Sequence, residues 1–592
     1  MPRDVASSRV RWIAAAIAFA LTCASLAWGA GFDLDPFDSA ELALAAVTRG
    51  LAHPPGQPLH TLLGWLITRL PFRPLAVLAW LSIAPAAAMV SLTPGSSSQT
   101  ERGRGGGGGI ATIAAGLVFA ALPDVRSVAC RIEVYALAAF FGVLAVALAS
   151  RRTAKHDLAA GISLGLAACV NPVLAAQGIG ALATAWRSTR REGALAVARI
   201  AGGSLVGLVP YAYVVAVASR VRDTLVWGAP ANASGWMRLL TAADFRRNVS
   251  ASPGTLFANA MHFAFDAAKR GALVVIVAGI VAASFDRRGE RWRRVTAIAA
   301  SLALGLFMVA ANVPYLANNP DYGGYLLVPI ALSLHALVDA ASRSARARIA
   351  AVAASVLAVA GLAFGIAQRG PRGITRMLAT EVLTAAPAHA IIVLGSDHLL
   401  FPALYIQRVE GLRDDVTILN PGWASARWAW VWAQAHDPDL HVDYAPSRGE
   451  LRLNRALAAR SPGRAVMAES PAALRAAAPG PVCLRGLLWS SAEGCVGARR
   501  WIARTRTLLT EASLRARDRG WDARLVYFTG RSLGDAARSL GCGGVSAVLY
   551  GAARGEADEA MVSLRCTGEP LLVPPPPNLL DITRADLPAG SR

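Results

Sequence analysis

The chain has 592 residues, of which 54% are hydrophobic and only 16% charged. Soluble domains carry about 25% charged residues, so a wholly soluble protein is excluded. The net charge of +21 invites a nucleic-acid surface. The basic residues, however, sit in clusters that flank apolar runs and not on one face of a soluble domain, which excludes that reading.

In chain order, apolar runs long enough to be considered against a bilayer core of about 30 Å are predicted at 12–30, 74–92, 110–122, 133–150, 157–170, 173–186, 194–218, 271–285, 295–313, 324–340 and 349–366, about 11 spans in all. The clusters Arg3/Arg9/Arg11, Arg102/Arg104, Arg151/Arg152/Lys155, Arg187/Arg190/Arg191, Arg287 to Arg294 and Arg343/Arg346/Arg348 then all fall on one side. That side is expected to be cytoplasmic, and the N-terminus with it. The loop 219–270 dissents, because it carries seven Lys/Arg on the opposite side. Residues 93–109, TPGSSSQTERGRGGGGG, read as a flexible linker. From about 378 the pattern becomes α/β. A buried-strand run at Ile391 to Leu394 is followed by a helical stretch and a second apolar run at Val416 to Leu419, a βαβ-like unit. The chain therefore divides into a multispanning domain, 1–370, and an extracytoplasmic α/β domain, 371–592. Four cysteines (Cys483, Cys495, Cys542, Cys566) lie in the latter, an even number that suits disulfides in an oxidising compartment. Cys483–Cys495 with Cys542–Cys566 is one of three possible pairings.

The stretch richest in chemistry follows the first span: GFDLDPFDSAELALAAVTRGLAHPPGQPLHTLLGWLITRLPF. Acids are scarce in the apolar two-thirds, yet Asp33, Asp35, Asp38 and Glu41 cluster here. Asp38 and Glu41 are three apart and share a helix face. Carboxylates at a membrane boundary are costly unless solvated or used, so two readings stand: a capped, solvated helix start, or a site. His53-Pro54-Pro55-Gly56, with Pro58 beyond, makes a rigid non-helical bend.

These residues resemble the N-terminal signature of family 117 glycosyltransferases, whose animal relatives are transmembrane protein O-mannosyltransferases. The pattern Asp-x-x-Glu-Leu then Ala-His-Pro-Pro-Gly-x-Pro-Leu falls on Asp38, Glu41, Leu42, Ala52, His53, Pro54, Pro55, Gly56, Pro58 and Leu59. Glu133-Val134-Tyr135, Trp227-Gly228-x-Pro230, Gly235-Trp236, Phe245-Arg246, and Asn319-Pro320-Asp321 before Tyr325 and Pro329 are similar to further family segments, so the likeness runs from about 30 to 420. One departure stands out. The family often carries an Asn-His or His-His pair where this chain reads Cys169-Val170-Asn171-Pro172.

The resemblance implies a polytopic α-helical membrane protein with a GT-C-like core in the cell (inner) membrane. It implies a polyprenyl-phosphate sugar as donor, a protein or glycan outside the cytoplasm as acceptor, and no nucleic-acid partner. Sugar transfer develops an oxocarbenium-like centre while an acceptor hydroxyl loses its proton. Asp38 is the expected base and Glu41 the second candidate. Substrate contacts are expected from His53, Pro54, Pro55, Gly56, Glu133, Tyr135, Trp227 and Arg246. Arg126, Arg131 and Arg247 are further candidates to hold a phosphate, since arginine suits bidentate contacts. Tyr322, Tyr325 and Trp236 are candidate ring contacts or interfacial anchors. No cofactor or metal is expected, a divalent-ion requirement being left open. The competing readings are a transporter or flippase of lipid-linked glycans and a non-catalytic membrane anchor.

Overall fold

The computed structural model describes residues 2–36, 38–91, 107–179, 190–243, 245, 249–250, 252–286, 288–312, 319–367, 373–424, 426–440, 457, 463–471, 474, 482–491, 498–516, 520–539, 543–554, 563–566 and 569–572. Contacts divide the chain into two compact units, Met1–Asp33 with Glu41–Arg369, and Leu34–Ala40 with Gly370–Arg592.

The first unit is helical. It opens with α1 (Pro2–Gly29), α2 (Asp38–Thr48), α3 (Pro58–Ile67), α4 (Pro74–Ser91), α5 (Gly107–Ala121), α6 (Pro123–Ala129), α7 (Tyr135–Ala149), α8 (Ala154–Ala168) and α9 (Pro172–Gln177). Further helices follow at Arg190–Gly207, Ala233–Leu240, Pro253–Lys269, Ala272–Ser284, Arg288–Ala310, Leu327–Arg343 and Ala345–Ala367. Six helical stretches are long and apolar enough to cross a membrane: Trp12–Gly29, Pro74–Ser91, Arg191–Ala218, Arg291–Ala310, Asp321–Arg343 and Ala345–Leu362. Two bent pairs, Gly108–Ala121 with Pro123–Ala129 (75°) and Pro253–Lys269 with Ala272–Ser284 (87°), raise the number to as many as 8. This is a polytopic membrane protein.

The expected eleven crossings are not reproduced at that number. The runs at 133–150 and 157–170 form helices of 15 residues each, about 22 Å long at 1.5 Å per residue, short of the hydrocarbon thickness. The run at 173–186 yields only the six residues of α9 before residues outside the described set. The segment 253–269, expected within a loop, is instead one limb of a bent pair.

Close packing here rests on glycine. Gly161 and Gly165 of α8 face Gly203 and Gly207 of the Arg190–Gly207 helix. A Cβ at Gly161 would lie 2.0 Å from the Ile200 carbonyl oxygen, and one at Gly165 2.2 Å from that of Ser204. Only small residues let two apolar helices approach so closely, and apolar neighbours in lipid gain from that approach through dispersion.

The second unit holds a five-stranded sheet of order β2-β1-β3-β5-β4: β1 (Ile391–Val393), β2 (Thr417–Leu419), β3 (Val466–Ala468), β4 (Cys483–Arg485) and β5 (Leu488–Ser490). β1 runs parallel to β2 and β3, while β5 is antiparallel to β3 and β4. β1, β2 and β3 are buried throughout, as continuous Ile/Val/Leu-rich strands of a covered parallel sheet should be. The helix Asp397–Glu410 is the crossover between β1 and β2. Arg413 donates to the carbonyls of Leu383, Ala386 and Pro387 and to the Asp415 carboxylate, tying the helix Ile374–Ala385 to the β2 approach. That bonding holds the Asp415 carboxyl down from 3.8 to about 2. Cys483 is disulfide-bonded; the expected partner Cys495 lies outside the described residues.

Candidate active site

Helix α2 is apolar but for its first turn. Ala40, Leu42, Ala43, Leu44, Ala45 and Ala46 are all buried, and Glu41 is only 1% exposed among them. A carboxylate so placed must be paired or it would not ionise. The pairing comes from the turn after the helix. The main-chain N–H of His53 donates to Glu41 Oε1 at 2.7 Å, and the ring Nδ1 lies 2.8 Å from Glu41 Oε2. A carboxylate only accepts, so a proton sits on Nδ1, and Nε2 is the ring nitrogen that does not face Glu41. The Gln57 side-chain nitrogen approaches that Nε2 at 3.4 Å.

The turn is built to hold this geometry. Leu51 bridges Val226 in parallel, through Leu51 N–H to the Leu225 carbonyl at 2.9 Å and Trp227 N–H to the Leu51 carbonyl at 3.1 Å. The Gly56 N–H closes back on the His53 carbonyl at 2.8 Å. Gly56 adopts φ +92, where a Cβ would also press on Leu51 Cδ1 at 3.0 Å, so glycine is required there. Pro58 then starts α3, where its missing N–H costs nothing. The same bridge that fixes Leu51 delivers Trp227 to His53. The ring centroids of His53 and Trp227 are 6.4 Å apart, those of His53 and Phe245 6.1 Å, and Trp227 stacks on Phe245 at 6.2 Å.

Asp38 opens α2, one turn before Glu41. Because α2 is one unbroken helix, the helix and the turn after it place Asp38 near the pair. One ligand atom each from Asp38, Glu41 and His53 lie within 4.8 Å of one another. This group offers a carboxylate at a helix N-terminus, a partly exposed imidazole and a buried carboxylate that positions it. It is also the set among the described residues that could ligate a cation, although both Glu41 oxygens already accept from His53.

Thus Asp38, Glu41, His53 and Trp227 come together, with Pro54, Pro55 and Gly56 forming the turn that holds them. Glu133 and Tyr135 have close partners of their own in a buried joint. Glu133 is 0% exposed, its N–H meets Ser82 Oγ at 3.0 Å, and Arg131 lies between it (3.4 Å) and Asp321. Tyr135 packs edge-on against Tyr325 at 5.6 Å, and Tyr322 is buried against Phe263. Arg131 is committed to these acids and to the Ser127 carbonyl. Trp236 packs with Tyr211 on the cluster of Leu51, Val214, Val217, Val226 and Leu239 that supports the bridge. Arg246 and Arg247 lie outside the described residues. In the segment where the resembled family often has a histidine, Asn171 Oδ1 caps α9 by accepting from Val173 and Leu174 N–H. Gln57 and Thr224 were not singled out by sequence. Gln57 occupies the unspecified position of the Gly-x-Pro element, and Thr224, which bonds Thr48, is 176 residues from its partner.

Residues 38–174 match the family described as protein O-mannosyl-transferase TMEM260 N-terminal domain. The chain is related to the transmembrane O-mannosyltransferases. The matched segment begins at Asp38 itself and includes Glu41, the whole 49–57 turn and α3 to α8, whereas Trp227 and Phe245 reach the site from outside it. No curated protein matches the chain.

Proposed function

We propose that this protein is an integral-membrane glycosyltransferase of GT-C type, compatible with family 117, that moves a sugar from a polyprenyl-phosphate donor to an acceptor hydroxyl outside the cytoplasm. The observation that carries this reading is the coincidence of the family match with the Asp38/Glu41/His53 group. The match starts on the residues that the fold gathers into one acid–imidazole cluster walled by two aromatic rings.

In the reaction the acceptor oxygen forms a bond to the anomeric carbon, and the bond from that carbon to the phosphate oxygen breaks. The leaving group is the polyprenyl phosphate, and the acceptor's proton must go to a base. Asp38 is that base, at a helix N-terminus where a carboxylate is favoured. Glu41 is a positioning residue, since both of its oxygens hold His53. His53 presents Nε2 to the substrate, and Trp227 with Phe245 offers apolar faces of the kind that sugar rings stack on. The test supplies membranes containing the protein with a panel of radiolabelled polyprenyl-phosphate sugars and follows label into protein and glycan. Transfer from at least one donor is expected; label that only crosses the bilayer on its lipid contradicts the reading.

One observation favours a second reading, a transporter of lipid-linked glycans. Two helix pairs are bent by 75° and 87°, and broken helices are common in transporters. The same assay separates the two.

A further inference from the structure

The buried face of α3 carries polar atoms that the site above does not use. Gln57, His60 and Thr61 are at most 2% exposed. Gln57 Oε1, both His60 ring nitrogens, Thr61 Oγ1 and Trp65 Nε1 have no hydrogen-bond partner among the described residues. Interiors leave few polar groups unpaired, because each forfeits its hydration. Here His60, Thr61 and, one turn on, Trp65 lie along α3, and Gln57 stands at the cap position just before it.

The place of this face follows from the contacts. Gln57 touches His53, which holds Glu41 in the first turns of α2. Further along both helices a Cβ at Gly64 would lie 2.7 Å from Ala46 Cβ and 2.9 Å from Leu78. So α3 approaches α2 at Gly64, His60 lies one turn before that contact, and Gln57 at the start of α3 reaches the His53–Glu41 pair. The polar face starts at His53, whose side chain is 20% exposed, and runs through the buried His60 and Thr61 to Trp65. At its far end Trp65 is half-buried, with the exposed Arg49 and Arg69 each 5.2 Å from its ring centre.

We propose that Gln57, His60, Thr61 and Trp65 form a subsite for the hydroxyls of an uncharged sugar, the one being transferred. An amide oxygen accepts, an indole N–H donates, and the imidazole and hydroxyl do both. An anion would leave the acceptor unpaired and a cation would leave the donors unpaired. A polyol, each hydroxyl of which both donates and accepts, matches the set. The subsite rests on the glycosyltransferase reading and names the part of the donor that the active site recognises.

The experiment compares full-length wild type with His60→Leu and His60→Gln. Replacing a buried polar group that lacks a partner by an apolar one of similar size is neutral or stabilising, so His60→Leu is expected to melt no lower than wild type. Polyprenyl-phosphate mannose is expected to raise the wild-type melting temperature more than bare polyprenyl phosphate does. His60→Leu is expected to lose that difference and to show a donor KM about tenfold higher, one good polar contact, while His60→Gln keeps most of both. A His60→Leu protein with wild-type KM and an undiminished sugar-dependent shift overturns the proposal and leaves the face to water. If wild type transfers no sugar, the glycosyltransferase reading fails by itself, and the melting comparison still decides the subsite.

Discussion

At the residue scale, the site turns on one buried carboxylate whose two oxygens are fully spoken for. Glu41→Gln keeps the shape but replaces two acceptor oxygens by an amide that can accept through one oxygen only. The His53 main chain and ring then compete for it, and one donor is left unpaired at about 1–3 kcal/mol. A melting temperature lowered by several degrees is expected, with transfer reduced about 10- to 100-fold through a misoriented imidazole, as for other positioning partners of histidine. An unchanged melt would remove Glu41 as the anchor of the turn. The sequence made the ingredients legible: Asp38 and Glu41 by their scarcity, His53 by the prolines around it. It did not show that Glu41 and His53 bond to each other, because twelve residues separate them and only the folded turn closes the gap. Nor did it show that Glu133 has Arg131 as a partner. A charge that opens an apolar run looks alike whether it faces a cavity or, as here, pairs with Arg131.

At the scale of elements, the 49–57 turn and the glycine-lined helix pair carry the local specifications. Gly56→Ala forces a side chain into φ +92 and against Leu51, and is expected to destabilise the protein by about 1–2 kcal/mol, read as a lower melting temperature that Ala→Gly reversion restores. Gly165→Leu pushes side-chain atoms into the Ser204 backbone and should reduce folded protein recovered from membranes far more than Gly202→Leu, where a Cβ meets nothing within 4 Å. In the second unit, Asp415 has its pKa lowered, chiefly by hydrogen bonds from Arg413. Its contribution to stability is therefore present in full above 3.8 and is lost as pH falls toward about 2. Acid unfolding followed by tryptophan fluorescence should show this loss in wild type and not in Asp415→Asn. The βαβ unit was readable because its strands are continuous apolar runs and its helix has length to match. The span number was not, because apolar runs of thirteen to fifteen residues make buried short helices as readily as crossings.

At the scale of the whole molecule, the proposed arrangement puts the basic clusters in the cytoplasm and the α/β unit outside. A reporter enzyme that works only outside the cytoplasm, joined after residue 592, is expected to be active; activity only of a cytoplasmic reporter there would reverse the orientation. Trp227 and Phe245 show why the assembled site exceeded what one-dimensional reading reaches. They stand more than 170 residues from His53, and nothing local announces the Leu51–Val226 bridge that brings Trp227 in. The account as a whole stands on sugar transfer at Asp38. The measurement that tests it most directly compares membranes carrying equal amounts of wild type and Asp38→Asn, each given radiolabelled polyprenyl-phosphate sugars. Transfer by wild type that falls at least about 100-fold in Asp38→Asn, the usual worth of a general base, is the result expected. Equal transfer by both proteins would contradict it.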